Sequence, residues 1–330
     1  MYSALAYYCF VALEEPHLEV KKHKKFFKDK EITCRIYLSE EGINGQLSGP
    51  ILEVEEYINW LQSDSRFAQA CFKMHATDSN VFPRVSVKYR PQLVALDCDI
   101  PLSRGDLPRG EHISPERWSE MLEQGGYLLL DVRNQYEWEV GHFENALLPP
   151  LEKFRDFPLY AEKLAQEVDK STPVMMYCTG GIRCELYSAL LKQKGFEQVY
   201  QLDGGVINYG LKVGTKHWKG KLFVFDDRLV VPIDGKPCDP LSHCCHCQLP
   251  CDTYYNCANM DCNELFIACS SCCEFYKGAC GYSCKESDRL RPLDPGQGNR
   301  PFRRKHLIGT PLIEPKSAPA CSLSRPSDQA

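Results

Sequence analysis

No apolar run in this 330-residue chain approaches the roughly 20 residues that a membrane-spanning helix needs. A membrane partner is therefore not expected. The opening stretch, Met1-Tyr2-Ser3-Ala4-Leu5-Ala6-Tyr7-Tyr8-Cys9-Phe10-Val11, lacks the basic segment of a signal peptide and soon turns polar, which makes a cytoplasmic location the expectation. An excess of positive charge is also missing, with 39 Lys and Arg against 44 Asp and Glu and a formal net charge of −5. That balance argues against wholesale electrostatic binding to nucleic acid, and no DNA partner is expected. A nucleic-acid partner must be met by a local basic patch. Tandem His and carboxylate ligands of the kind that hold non-haem iron are not apparent either. A hydrophobic content of 43% and a charged content of 25% fit a soluble protein long enough for two or three domains.

Cysteine is abundant. There are 19, and 12 of them lie between Cys238 and Cys284. Secreted disulfide scaffolds are small and exported, so a metal-binding segment in a reducing compartment is the better account. Within residues 238–288 four pairs stand out: Cys244 with Cys247, Cys257 with Cys262, Cys269 with Cys272, and Cys280 with Cys284. Each short turn presents two sulfurs to one metal, so eight thiolates suit two structural Cys₄ zinc sites, interleaved or not. Cys245, Cys251, Cys273, His243 and His246 are spare or substitute ligands. So few aliphatic residues could hardly fold this segment, and zinc binding at about 10–16 kcal/mol per site would supply what the core lacks.

Residues 1–96 read as a small α+β domain. Leu5 to Leu13 is an apolar strand, Glu19 to Lys30 a lysine-rich helix with Val20, Lys24 and Phe27 at helical spacing, and Ile32 to Leu38 a second strand. Glu41-Gly42-Ile43-Asn44-Gly45 reads as a hairpin turn because of its Asn-Gly pair, with the returning strand starting at Gln46. Ile51, Val54, Tyr57, Ile58 and Leu61 mark an amphipathic helix, followed by strands over Cys71 to His75 and Val85 to Leu96. The order approximates βαββαβ, a ferredoxin-like fold. Lys21, Lys24 and Lys25 on the first helix, and Arg84 and Lys88 along the last strand, are candidate RNA-facing residues, against the plainer reading of a solvated surface. Residues 97–112 carry Pro101, Gly105, Pro108 and Gly110 and read as a linker. At the other end, residues 289–330 form a basic, proline-rich tail in which Arg303 and Arg304 are further candidates for a phosphate backbone.

Residues 113–222 alternate buried strands with helices, the pattern of a parallel α/β sheet whose site lies at the strand carboxyl ends. Ser114-Pro115-Glu116 is a helix start. The apolar run Val174-Met175-Met176-Tyr177 ends in Cys178, then Thr179-Gly180-Gly181-Ile182-Arg183-Cys184-Glu185 leads into a helix. Strand, tight loop and helix turn backbone N–H groups toward one point, where a cysteine is favoured as thiolate. The loop from Cys178 to Arg183 is six residues long, a size suited to a sulfur or another small group. Cys178 is the candidate nucleophile and Arg183 its electrostatic partner. Cys184 is either a resolving thiol or helix packing.

Residues 113–222 resemble a rhodanese-type domain through Asp131-Val132-Arg133, Glu137-Trp138, Gly141-His142-Phe143, Ala146, the Cys178–Arg183 loop and Asp203-Gly204-Gly205. Over roughly residues 3–305 the chain resembles the tRNA uridine hydroxylase family called TrhO. Glu41 to Gly45, Phe154-Arg155, Tyr177 to Glu185 and Asn256-Cys257-Ala258-Asn259 carry the match; Leu186-Tyr187 replace a more polar pair. The resemblance implies conversion of the wobble uridine of tRNA to 5-hydroxyuridine with molecular oxygen as co-substrate, and it makes Cys178 the essential cysteine. One route joins this to the residues: Cys178 adds to C6 of the uracil, leaving enolate character at C5. The rival is sulfur transfer from a Cys178 persulfide, and a third reading is a non-enzymatic binding protein. Nothing in the sequence specifies an oligomeric state.

Overall fold

A computed structural model of the chain describes residues 1–98, 100 and 107–293. These form two compact units, Met1–Ser242 and a second beginning at His243. Among the described residues no helix is long and apolar enough to cross a membrane.

The first unit opens with β1 (Tyr2–Phe10), α1 (Pro16–Phe26), β2 (Thr33–Ser39), β3 (Gly42–Pro50), α2 (Ile51–Gln62), β4 (Lys73–Thr77) and β5 (Val85–Tyr89). The sheet order is β4-β1-β3-β2-β5. Its first four strands are antiparallel neighbours, the expected βαββαβ arrangement, and β5 is added parallel to β2. Strand alternation divides the sheet. Leu5, Tyr7, Cys34, Ile36, Leu38, Ile43, Leu47 and Val87 pack against Val20 of α1, Phe27 just after it, and Val54, Tyr57 and Leu61 of α2. The residues between them in register face the other way.

Several local expectations are corrected. The hairpin turn is Glu40-Glu41, since Ser39 already pairs with Gly42. Asn44-Gly45 therefore lies within β3, opposite Tyr8 and Tyr7. Gly45 is required there for space rather than for turning: a Cβ would stand 2.3 Å from the Tyr7 ring. Helix α1 starts at Pro16 and ends before Phe27. His23, not Lys24, occupies its buried face, because Glu19, Val20, His23 and Phe27 form the inward row. The last two strands are shorter or shifted relative to the apolar runs, and Leu96 and Ile100, beyond the end of β5, enter the central core.

The central sheet comprises β6 (Glu111–Ile113), β7 (Leu128–Asp131), β9 (Val174–Tyr177) and β10 (Val199–Leu202), in the order β6-β10-β9-β7. All its pairings are parallel. Helix α3 (Pro115–Gln124) is capped by the Ser114 hydroxyl, which accepts from the Arg117 N–H. Between β7 and β9 lie α4 (Gln135–Trp138), β8 (Gly141–Phe143) and α5 (Phe157–Glu167); α6 (Ile182–Gln193) and α7 (Gly205–Lys212) follow β9 and β10. Alternate residues of β9 serve opposite layers. Val174 and Met176 meet α5 and α6 residues such as Phe157, Leu164 and Tyr187, while Met175 and Tyr177 meet Trp118, Val206 and Tyr209. Every residue of α6 from Arg183 to Leu191 is buried, so this helix is interior rather than amphipathic. The unit closes with β11 (Trp218–Gly220), paired with β8, and the small β12 (Leu222–Phe223) and β13 (Val230–Val231) ribbon.

The second unit is a two-stranded ribbon, β14 (Tyr254–Asn256) and β15 (Leu265–Ile267), with short helices α8 (Ser270–Phe275) and α9 (Tyr282–Lys285). Its buried residues are few and mostly cysteine, alanine and aromatic, so apolar burial contributes little to its stability.

Candidate active site

Strand β9 delivers Cys178 to the carboxyl end of the parallel sheet, where it is fully buried. The Gly181 N–H lies 3.1 Å from its sulfur, and α6 begins at the next residue. The neighbouring β10 turn clamps the loop from behind. The Val206 and Ile207 N–H groups donate to the carbonyls of Cys178 (3.0 Å) and Thr179 (3.1 Å). This approach is why the Asp203-Gly204-Gly205 turn needs glycine: a Cβ on Gly205 would lie 2.5 Å from the Cys178 carbonyl oxygen.

Burial opposes the Cys178 thiolate. The Cys184 thiol, which donates to the Cys178 sulfur, the Arg183 guanidinium and the N–H groups of Cys184 and Arg183 outweigh it, and the pKa falls to about 5. Cys184 itself is held well above its ordinary value by burial and by the adjacent thiolate. It is the proton donor of a thiol–thiolate pair, and no disulfide is formed.

Arg183 is committed to a carboxylate. It makes a bidentate pair with the fully buried Glu137, at 2.5 and 2.7 Å, and Thr179 donates to the same carboxylate at 2.9 Å. Glu137 caps its own short helix α4 at the Asn134 N–H. Arg133, also fully buried, pairs with Asp131 at 2.6 Å and donates to the carbonyls of Glu137 and Gly141. The Asp131-Val132-Arg133 and Glu137-Trp138 blocks thus act through the loop. They hold Arg183, and Arg183 holds the field at Cys178.

The far wall of the site comes from the N-terminal sheet. A cleft of about 250 Å³ is lined by Cys178, Thr179, Gly180, Ile182 and Arg183 on one side. On the other stand Ala6, Tyr8, Arg35, Tyr37, Asn44, Gln46 and Lys73, the sheet residues that alternate with the core row. Lys73 Nζ donates to the Gly180 carbonyl at 2.7 Å and sits 4.8 Å from the Tyr8 ring centre. The Tyr8 hydroxyl donates to Glu185 at 2.9 Å. His112 lies between Glu185 (3.1 Å) and Asp203 (3.5 Å), and these carboxylates raise its pKa to about 9.

The sequence brought out Cys178, Arg183 and the loop between them. It did not bring out Lys73, Tyr8, Glu185 or His112 as parts of the site. A lysine on a buried strand face carries no signal, since β4 buries Lys73 and exposes Met74, the reverse of the usual order. The basic candidates separate. Lys21, Lys24 and Lys25 are exposed on α1, on the helix-covered side of the sheet and away from the cleft. Lys88 is exposed and lies in register with Tyr37 on the cleft side, where the Arg90 guanidinium is 5.4 Å from the Tyr37 ring centre. Arg84 is exposed just before β5, and Arg303 and Arg304 lie outside the described residues.

In the second unit the cysteine pairs assemble as two groups, Cys244, Cys247, Cys269 and Cys272, and Cys257, Cys262, Cys280 and Cys284, with ligand atoms within 4.8 Å of one another in each. The first and third pairs share one group and the second and fourth the other, so the sites are interleaved. Sulfur separations of 3.7 Å for Cys247–Cys269, Cys262–Cys280 and Cys280–Cys284 match the edge of a tetrahedron, about 3.8 Å, set by a ~2.3 Å Zn–S bond. Both groups can hold a metal ion. Cys245, Cys251, Cys273, His243 and His246 stand outside them, and the His246 ring stacks on Tyr276 at 3.9 Å.

The chain matches three domain families in succession: a UPF0176 acylphosphatase like domain over residues 2–93, a rhodanese-like domain over 114–211 and a rhodanase C-terminal domain over 219–285. A rhodanese-like domain from Anabaena, solved by NMR, is 22% identical, covers 33% of this chain and 78% of its own, and superposes with a TM-score of 0.28, too partial a likeness to add to those matches. The tRNA uridine(34) hydroxylase of Chlamydia abortus is 55% identical over 325 residues, 98% of each chain. That of Chlamydia trachomatis serovar D is 56% identical over 312 residues, 94% of each chain. This chain belongs to the tRNA uridine(34) hydroxylase family.

Proposed function

We infer that the chain hydroxylates uridine 34 of tRNA, the reaction for which its relatives are named, with Cys178 as nucleophile and molecular oxygen as co-substrate. The observation that carries this reading is the cleft: a low-pKa thiolate faces a wall of aromatic and hydrogen-bonding side chains from a second sheet. Its ~250 Å³ falls just below the roughly 300–1,000 Å³ typical of drug-sized ligands, a scale suited to one pyrimidine. An anticodon base is unstacked readily and can be splayed into such a pocket. Tyr37 offers a stacking face, Asn44 and Gln46 offer donors and acceptors, and Arg35, Lys88 and Arg90 supply the local positive charge that the net charge of −5 lacks.

In this reading the Cys178 thiolate adds to C6 and the loop N–H groups stabilise developing charge, while Arg183 acts through its field. Cys184 donates to the resting thiolate. The two Cys₄ groups hold zinc, which is structural because four sulfurs leave no open position. Sulfur transfer accounts for the loop but not for the second wall, which a bare persulfide does not need. Mass spectrometry of tRNA nucleosides beside a thiosulfate–cyanide assay separates the two. Cys178-dependent 5-hydroxyuridine with little cyanide turnover is the result expected, and the opposite pattern would replace hydroxylation by sulfur transfer.

A further inference from the structure

We propose that Lys73, contributed by the N-terminal sheet, is a catalytic residue that meets O4 of the uracil when Cys178 adds to C6. The proposal rests on the addition reading above and deepens it. Addition forms the S–C6 bond and moves the C5=C6 electron pair onto C5 and O4. The negative charge that left sulfur then resides on an enolate, which needs a donor at O4. The loop N–H groups and Cys184 are directed at the sulfur, and Arg183 is held by Glu137.

Among the described residues Lys73 is the one lysine lining the cleft. It is 96% buried, anchored by its bond to Gly180 at 2.7 Å and backed by the Tyr8 ring, with ammonium hydrogens remaining for a ligand. Its register opposite Ala6 puts it on the cleft face of the sheet. Burial lowers its pKa from the ordinary lysine value, and the negative charges of Cys178, Asp203 and Glu185 oppose that shift. An ammonium is also donor-only. It donates to O4 of uracil and finds no acceptor in the N4 amino group of cytosine, which gives this residue a part in base selection.

The test uses full-length protein and tRNA carrying 5-fluorouridine at position 34, in which a C6 adduct is trapped as a band on a denaturing gel. Alkylation of Cys178 by iodoacetamide, resolved by peptide mass spectrometry at pH 8, reports loop integrity independently. Lys73→Met is expected to keep alkylation within about threefold while slowing adduct formation by about 100-fold, the scale of one lost oxyanion donor. Lys73→Arg, which retains a donor in a different shape, should fall between the two. Equal adduct rates in wild type and Lys73→Met would overturn the proposal. A parallel fall of adduct and alkylation would do the same, since Lys73 would then act only on the loop. No adduct in wild-type protein that still makes 5-hydroxyuridine would remove the addition step and leave the hydroxylase assignment standing.

Discussion

Cys178 is fully buried and yet charged at neutral pH, which makes its environment measurable. Only the thiolate is alkylated, so the rate of Cys178 modification should rise through about pH 5 and stay level near neutrality. Cys184→Ala removes one donor, and the midpoint should move upward; an unmoved midpoint would show that Cys184 is merely packed. Glu137→Gln should leave the Arg183 charge buried with an incomplete partner. Breaking such a pair costs about 3–5 kcal/mol, read as a lower denaturant midpoint together with a changed Cys178 alkylation profile. His112 gives a pH signature of opposite kind. Its folded pKa of about 9 lies above the ordinary 6.5, so its contribution is complete below pH 6.5 and lost as pH rises through 9. The melting difference between wild type and His112→Ala should therefore be largest at pH 6 and shrink toward pH 9.

Two turns, at the scale of elements, decide where Cys178 stands. The loop after β9 is held by the turn after β10, and the glycine at that contact leaves no room for a methyl group. Gly205→Ala should destabilise the fold by about 1–3 kcal/mol and slow Cys178 alkylation, because the clash falls on backbone that cannot rotate away. Much of this element was legible in advance: an apolar strand, a glycine loop and a helix need only short-range pattern. The Glu41 to Gly45 stretch was misread for a physical reason. Asn-Gly favours a tight turn, but Gly45 answers a different demand, space for the Tyr7 ring. Local propensity carries no information about which side chain crosses a strand from its neighbour.

At the scale of the whole molecule, composition identified the cysteine-rich segment and spacing identified its four pairs. The interleaved partition required the fold. Native mass spectrometry should find two zinc ions per chain, reduced to one by Cys247→Ser and unchanged by Cys245→Ser; loss of zinc in the second variant would redraw the ligand set. The second wall of the cleft was illegible because it depends on one sheet facing another, with Lys73 and Cys178 over a hundred positions apart in sequence. The central claim, that Cys178 hydroxylates uridine 34, is tested most directly by mass spectrometry of tRNA nucleosides. The material is tRNA from a strain lacking its own enzyme, supplied with this chain or with Cys178→Ala. The account predicts 5-hydroxyuridine at position 34 with the wild-type chain and none with the variant. Full modification by Cys178→Ala, or none by the wild type, would contradict it.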